Sequence, residues 1–181
     1  MESWEKARQI KLLIFDVDGV LTNNQLIFSQ DGEILKVFHS QDGLGINAAH
    51  KAGLRTAIIT GRDSRMVRRR GEELRITDIY MGAMDKVTAY EELLQKHSLI
   101  PDETAYVGDD LNDLAVMARV GLACAVGNAV EEVKAAAHYV AIKQGGRGGV
   151  REIIEFILKN QGKWDQVVQE YRGTGPVLTR Q

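Results

Sequence analysis

Short apolar runs that stop at an acid or a hydroxyl, each followed by a longer amphipathic stretch, constrain this chain more than any other feature. Residues 11–15 stop at Asp16, residues 55–59 at Thr60, and residues 104–107 at Gly108-Asp109-Asp110. Residues 121–126 and 139–142 are weaker runs of the same kind. Helical patterning lies between them, near 43–52, 64–74, 85–97, 111–119, 130–137 and 148–160. Apolar runs this short, set between longer helical patterns, read as strands buried on both faces. Strands alternating with helices predict an α/β fold, a Rossmann-like parallel sheet with helices on both faces.

Residues 25–38 break the alternation. Two short strand patterns flank Asp31-Gly32, a hairpin turn signal, so a β-hairpin insertion is expected at about 23–40. It follows the first strand directly, which sends it out from the edge where open α/β sheets bind ligands. A two-stranded ribbon is marginal alone, so its apolar residues favour contact with another subunit. The expected domain plan is a core over 10–160 and a C-terminal tail over 161–181, with a weak helical pattern at 162–171. The stretch Arg172-Gly173-Thr174-Gly175-Pro176 has too few apolar groups to pack.

A chain of 181 residues buries a sufficient core without staples. Its single cysteine, Cys124, excludes an intramolecular disulfide and reads as a buried small hydrophobe. The acidic N-terminus lacks an apolar signal core, and no stretch has the length of a membrane span. A cytoplasmic chain with no membrane partner is expected. Lys+Arg total 23 against 25 Asp+Glu, which argues against a nucleic-acid surface.

The chemistry-bearing residues lie where the strands end. Asp16-Val17-Asp18-Gly19 sets two carboxylates beside one another, able to approach one substrate or one cation, with Gly19 allowing a tight turn. A polar loop with an Asx turn would use the same residues. Asp109, Asp110 and Asp113 crowd the start of a helix and repel one another unless a cation or donors offset them. An oxygen-rich cluster suits Mg²⁺, although one of these acids could simply cap the helix. Thr60 offers a hydroxyl and a backbone N–H to a phosphate oxygen, and Arg62 a planar fork for an anion. Lys86 stands in a first helical turn, where the macrodipole disfavours it, which hints at an anion beside it.

As a set, Asp16-x-Asp18-Gly19-x-x-Thr22, Thr60, Lys86 and Gly108-Asp109-Asp110-x-Asn112-Asp113 resemble the four motifs of the haloacid dehalogenase superfamily over residues 10–160. The hairpin insert leaves no room for a large cap domain. Gln41-Asp42-Gly43-Leu44-Gly45-Ile46, Thr60-Gly61-Arg62 and residues 145–152 narrow the resemblance to the 3-deoxy-D-manno-octulosonate 8-phosphate phosphatases. That resemblance implies a phosphatase of lipopolysaccharide inner-core synthesis with an aspartyl-phosphate intermediate. It makes Asp16 the nucleophile and Asp18 the acid and then base. Thr60 and Lys86 become the phosphoryl-binding pair, and Asp16, the Asp18 carbonyl and Asp109 the Mg²⁺ ligands. Asp113 would orient Lys86 or a metal-bound water; Asp110 and Asn112 stay open between support and capping. Arg62 and Arg147 would bind the sugar-acid carboxylate, Arg147 across a subunit boundary. A homotetramer with active sites covered by neighbouring subunits is implied, and the tail could reach a neighbour. A phosphatase of sialic-acid-type 9-phosphates shares this pattern. A phosphoaspartate receiver domain fits less well, because the second strand ends in Thr60 rather than Asp.

His39, His50, His97 and His138 lack metal-ligand spacing, and Arg68-Arg69-Arg70 reads as a solvated face.

Overall fold

The computed structural model describes residues 1–173. Eight strands form: β1 (Leu12–Phe15), β2 (Ile27–Ser29), β3 (Gly32–Leu35), β4 (Arg55–Ile59), β5 (Asp78–Tyr80), β6 (Thr104–Gly108), β7 (Leu122–Ala125) and β8 (Tyr139–Val140). Eight α-helices accompany them: α1 (Ser3–Gln9), α2 (Ser40–Lys51), α3 (Arg65–Glu73), α4 (Lys86–His97), α5 (Leu114–Met117), α6 (Glu131–Ala136), α7 (Gly149–Asn160) and α8 (Trp164–Tyr171).

Six strands make one parallel sheet in the order β5-β4-β1-β6-β7-β8. Every residue of β1, β6 and β7 is buried. Their side chains alternate between the two faces, so both faces need an apolar cover. Helix α7 packs on α1 and on α2, and α5 packs on α4 and on α6; the right-handed rule for parallel crossovers puts the two groups on opposite faces. Helix α7 fills its side with Val150, Ile153, Ile154, Ile157 and Leu158, all buried. The α/β expectation holds.

The chain leaves β1 toward β4 on one side, and β6 joins it on the other. That reversal opens a crevice at the carboxyl ends of the central strands. Register sets the depth of the crevice. Phe15 pairs with both Ile58 and Val107, so Asp16, Thr60 and Asp109 emerge within one residue of the same level.

The hairpin β2–β3 forms its own two-stranded sheet, closed at the base by a bridge between Thr22 and Phe38. Phe28, Ile34 and Leu35 are exposed on it.

Three elements differ from the sequence reading. Strand β5 went unread because it has three residues and no apolar run. Helix α1 went unread because it buries only Ala7. Residues 111–119 hold a 3₁₀ turn, Leu111–Asp113, and then the four-residue α5. Asp113, which ends the 3₁₀ turn, is fully buried, and its carboxylate accepts from the backbone N–H groups of Asp109 and Asp110. The weak pattern at 162–171 is helix α8, with Val167 buried against α7. The tail's remaining reach, over 174–181, lies outside the described residues. Among those described, no helix is long and apolar enough to cross a membrane.

Candidate active site

Asp16 follows β1 and is buried, its backbone N–H held by the Val107 carbonyl at 3.0 Å. The chain then turns through Gly19 at φ +85°, and a Cβ there would overlap the Asp109 carboxylate. A side chain is therefore excluded on two grounds, conformation and space. Thr22 closes the turn: its hydroxyl donates to the Val17 carbonyl and accepts from the Gly19 N–H, both at 3.3 Å.

Lys86 reaches the site from the first turn of α4, which Asp85 caps by accepting from Val87 and Thr88 N–H. Its ammonium lies 3.0 Å from Asp16 Oδ1 and 2.7 Å from Asp113 Oδ1. Burial alone would lower the Lys86 pKa, but Asp16 and Asp113 outweigh it and hold the group charged. The dipole penalty on a lysine at this position is offset by the same two carboxylates.

Asp113 is fully buried and its oxygens are committed. Oδ1 accepts from Lys86 and from the Tyr106 hydroxyl at 2.7 Å, and Oδ2 accepts from the Asp109 and Asp110 N–H groups at 2.8 and 3.2 Å. Asp109 is different: its Oδ1 is buried without a partner. Carboxylate oxygens of Asp16, Asp109 and Asp113 lie within 4.8 Å of one another. Burial, then Asp113, raises the Asp16 pKa to about 7, against the opposing pull of Lys86. Burial, then Asp16 and Asp113, raises Asp109 to about 8. Two crowded acids and one orphaned oxygen fit a small hard cation, and Asp113, already saturated, fits the role of support.

Asp18 has different partners. Its Oδ1 pairs with Lys36, and its Oδ2 lies 3.5 Å from Arg62 Nε. Lys36 is buried and also pairs with Glu33 Oε1 at 2.9 Å, while Glu33 accepts from the Ser64 hydroxyl at 2.5 Å. Burial would raise the Glu33 carboxyl, but Ser64 and Lys36 hold it below its usual range. The hairpin root thus touches the second carboxylate directly.

Asp16, Asp18, Thr60, Arg62, Asp109, Asp110 and Asn112 line one open cleft of about 230 Å³. The Thr60 N–H is spent on the Tyr80 carbonyl at 2.9 Å, so the hydroxyl is what that residue can offer a ligand. Asp110 caps the 3₁₀ turn by accepting from the Leu111 N–H. Arg147 is exposed and does not line the cleft. The glycines around it are not a slack loop: a Cβ on Gly145 or Gly146 would overlap the backbone of Gly19 or of Thr22 and Asn23.

Lys36, Tyr106 and Asn24, which lines the cleft with its amide 3.5 Å from Asp109 Oδ2, do not stand out as site residues in the sequence. Lys36 carried a signal, since it shares a strand face with Ile34 and Phe38 where an apolar residue is expected. Tyr106 sits inside an apolar strand and Asn24 in a polar loop, and neither stands out there.

Comparison with known proteins agrees with this geometry. Residues 71–154 match the family model of haloacid dehalogenase-like hydrolases. The chain is 45% identical over 161 residues to the 3-deoxy-D-manno-octulosonate 8-phosphate phosphatase of Escherichia coli K12, covering 89% of this chain and 86% of that protein. The chain belongs to the 3-deoxy-D-manno-octulosonate 8-phosphate phosphatase family. A family member from Moraxella catarrhalis, solved with magnesium, phosphate and KDO, superposes with a TM-score of 0.90 at 42% identity, over 93% of this chain and 97% of that one. The cobalt-bound phosphatase of Haemophilus influenzae gives 0.85 at 42% identity, over 87% and 92%. In the present chain, the acids that follow β1 and β6 gather around one point, and the lysine opening α4 pairs with Asp16 there.

Proposed function

We propose that this chain is a Mg²⁺-dependent phosphatase that hydrolyses 3-deoxy-D-manno-octulosonate 8-phosphate to the free sugar acid and phosphate, for lipopolysaccharide inner-core synthesis. One observation carries it. Asp16 and Asp18 lie in the same cleft yet are held by different partners, Asp16 by Lys86 and Asp18 by Lys36 and Arg62. One carboxylate lies at the acidic cluster beside Lys86 and the other at the hairpin root, so the two are placed for separate roles, nucleophile and proton carrier.

Asp16 attacks phosphorus in line, and the sugar oxygen leaves as the aspartyl-phosphate forms. Asp18 gives its proton to that leaving oxygen and then takes one from the water that cleaves the intermediate. Lys86 steadies Asp16 and offsets charge on the phosphoryl oxygens, with Thr60 donating a hydroxyl. Mg²⁺, held by Asp16, the Asp18 carbonyl and Asp109, supplies the positive charge that lets one anion approach another. Asp113 anchors Lys86 and the acidic loop. Arg62 is the cleft guanidinium for the substrate carboxylate, and Arg147 serves from a neighbouring subunit.

Assembly as a homotetramer belongs to this reading. Phe28 and Ile34 are 53% and 54% exposed on a ribbon with no sheet behind it, and packing of hairpins would cover them. The division into a 10–160 core and a 161–181 tail reaching a neighbour, and a cytoplasmic site of action, stand with it. The buried free thiol of Cys124 is compatible with a reducing compartment.

Phosphate release from the octulosonate 8-phosphate and from a sialic-acid-type 9-phosphate, with Mg²⁺ and with chelator, tests the reading. Mg²⁺-dependent release favouring the 8-phosphate is expected. Preference for the 9-phosphate would overturn the substrate and keep the mechanism.

A further inference from the structure

Both walls of the metal cleft hang from one turn that the mechanism does not use. Residues 127–130 link β7 to α6. The Val130 N–H donates to the Asp109 carbonyl at 2.9 Å, fixing the backbone of the acidic loop. The Gly127 N–H donates to the Lys143 carbonyl at 2.9 Å, where a Cβ would come 2.5 Å from the Ile142 carbonyl oxygen. Between them, Asn128 Nδ2 donates to the Gly19 carbonyl at 3.1 Å and Asn128 Oδ1 accepts from the Gly145 N–H at 2.6 Å. The Gly146 N–H completes the join by donating to the Val20 carbonyl at 2.9 Å.

The Gly19 contact matters because Gly19 packs against the Asp109 carboxylate with no room for a methyl group. Any drift of the nucleophile loop changes the gap between Asp16 and Asp109. We propose that Asn128 is a positioning residue for the metal ligands, tying the Gly19 loop and the Gly145 loop to the turn that also holds Asp109. Its side chain carries a donor and an acceptor at one branch point, which alanine, serine and leucine cannot supply together to two separated partners. Residues 109 and 17 positions away in sequence are thereby locked to one amide. Asn128 lines no part of the cleft and touches no reacting atom.

The inference rests on the metal-dependent reading above, and its test reads the metal directly. Mg²⁺ binding to the full chain is measured by calorimetry, alongside thermal melting without metal. Asn128→Ala is expected to raise the Mg²⁺ dissociation constant by about 10- to 100-fold, as loss of an outer partner of a metal site does. Turnover at saturating Mg²⁺ should recover toward wild type, separating metal affinity from chemistry. Asn128→Asp keeps the acceptor for the shorter Gly145 bond and should restore part of the affinity. Gln161→Ala supplies the control: it loses bonds to the Ala7 and Ile10 carbonyls and should lower the melting temperature without changing Mg²⁺ affinity. If Asn128→Ala fails to fold, Asn128→Ser, able to reach only one partner, carries the same expectation at about 10-fold. Wild-type Mg²⁺ affinity in the folded variant would overturn the proposal, as would an equal loss in Gln161→Ala. A wild-type chain that binds no Mg²⁺ overturns the metal-dependent reading and this proposal with it.

Discussion

Lys86 stands between Asp16 and Asp113 with almost no access to water, and that triangle explains how the Asp16 carboxylate can be buried at all. An isolated buried anion would protonate; a charged lysine within hydrogen-bond distance keeps part of it ionised. Asp16→Asn removes the attacking oxygen and should lower kcat by on the order of 10⁴-fold or more, with the fold intact by circular dichroism. Activity near wild type would remove Asp16 from the role of nucleophile. Lys36→Met keeps the length of the side chain but drops its bonds to Asp18 and Glu33. Turnover should fall by about 10- to 100-fold, less than the roughly 10²–10⁴-fold a whole acid–base group supplies. Steady-state kinetics should place the loss in kcat rather than KM, and Lys36→Arg should recover part of it. The placement of Asp16 and Lys86 was legible because one follows a strand and the other opens a helix whose periodicity could be read. Lys36 and Tyr106 were less so: each is one polar side chain in an apolar pattern, and its partner, Asp18 or Asp113, is brought to it by the fold.

Among the elements, residues 145–149, the glycine-rich segment before α7, carry more packing than their composition shows. In the fold they are a close-packed wedge against the nucleophile loop, with the following helix capped from α2 by Asp42, whose carboxylate accepts from Gly148 and Arg151 N–H. Gly145→Ala forces a methyl group into the Gly19 carbonyl, so it should destabilise the chain by about 1–3 kcal/mol or more and reduce activity with it. Urea melts and phosphate release measure the two together, and a fully stable, fully active variant would contradict the wedge. The strands were readable because they are apolar on both faces. The edge strand β5 and helix α1 were not, because short elements that bury little leave no period to detect. The hairpin was readable from Asp31-Gly32, but its inward contact to Asp18 was not, since it depends on where the fold sends the ribbon.

For the whole molecule, the crowded acids make stability depend on pH and metal together. Asp16 and Asp109 have folded pKa values of about 7 and about 8, above the unfolded carboxylate value. Between about pH 4 and those values the folded chain holds protons that the unfolded chain has released, so metal-free stability falls as pH rises. A cation relieves that repulsion as it displaces the protons. The rise in melting temperature at saturating Mg²⁺ should therefore grow from about pH 5 to about pH 8. A Mg²⁺ shift independent of pH would contradict the placement of the ion among these acids. The exposed ribbon makes an independent prediction. Phe28→Asp puts a charge where hairpins would pack, so sedimentation should show smaller species than wild type. An unchanged sedimentation profile would leave the hairpin outside the assembly contact.

Covalent transfer of phosphate to Asp16 is the central step of the proposed mechanism. Rapid acid quench during turnover of the octulosonate 8-phosphate, followed by borohydride reduction and peptide mass spectrometry, reads it directly. An aspartyl-phosphate is reduced to homoserine, and homoserine is expected in place of Asp16 and nowhere else among the acids of the cleft. Homoserine in place of Asp18 or Asp109, or none during full turnover, would contradict the assignment.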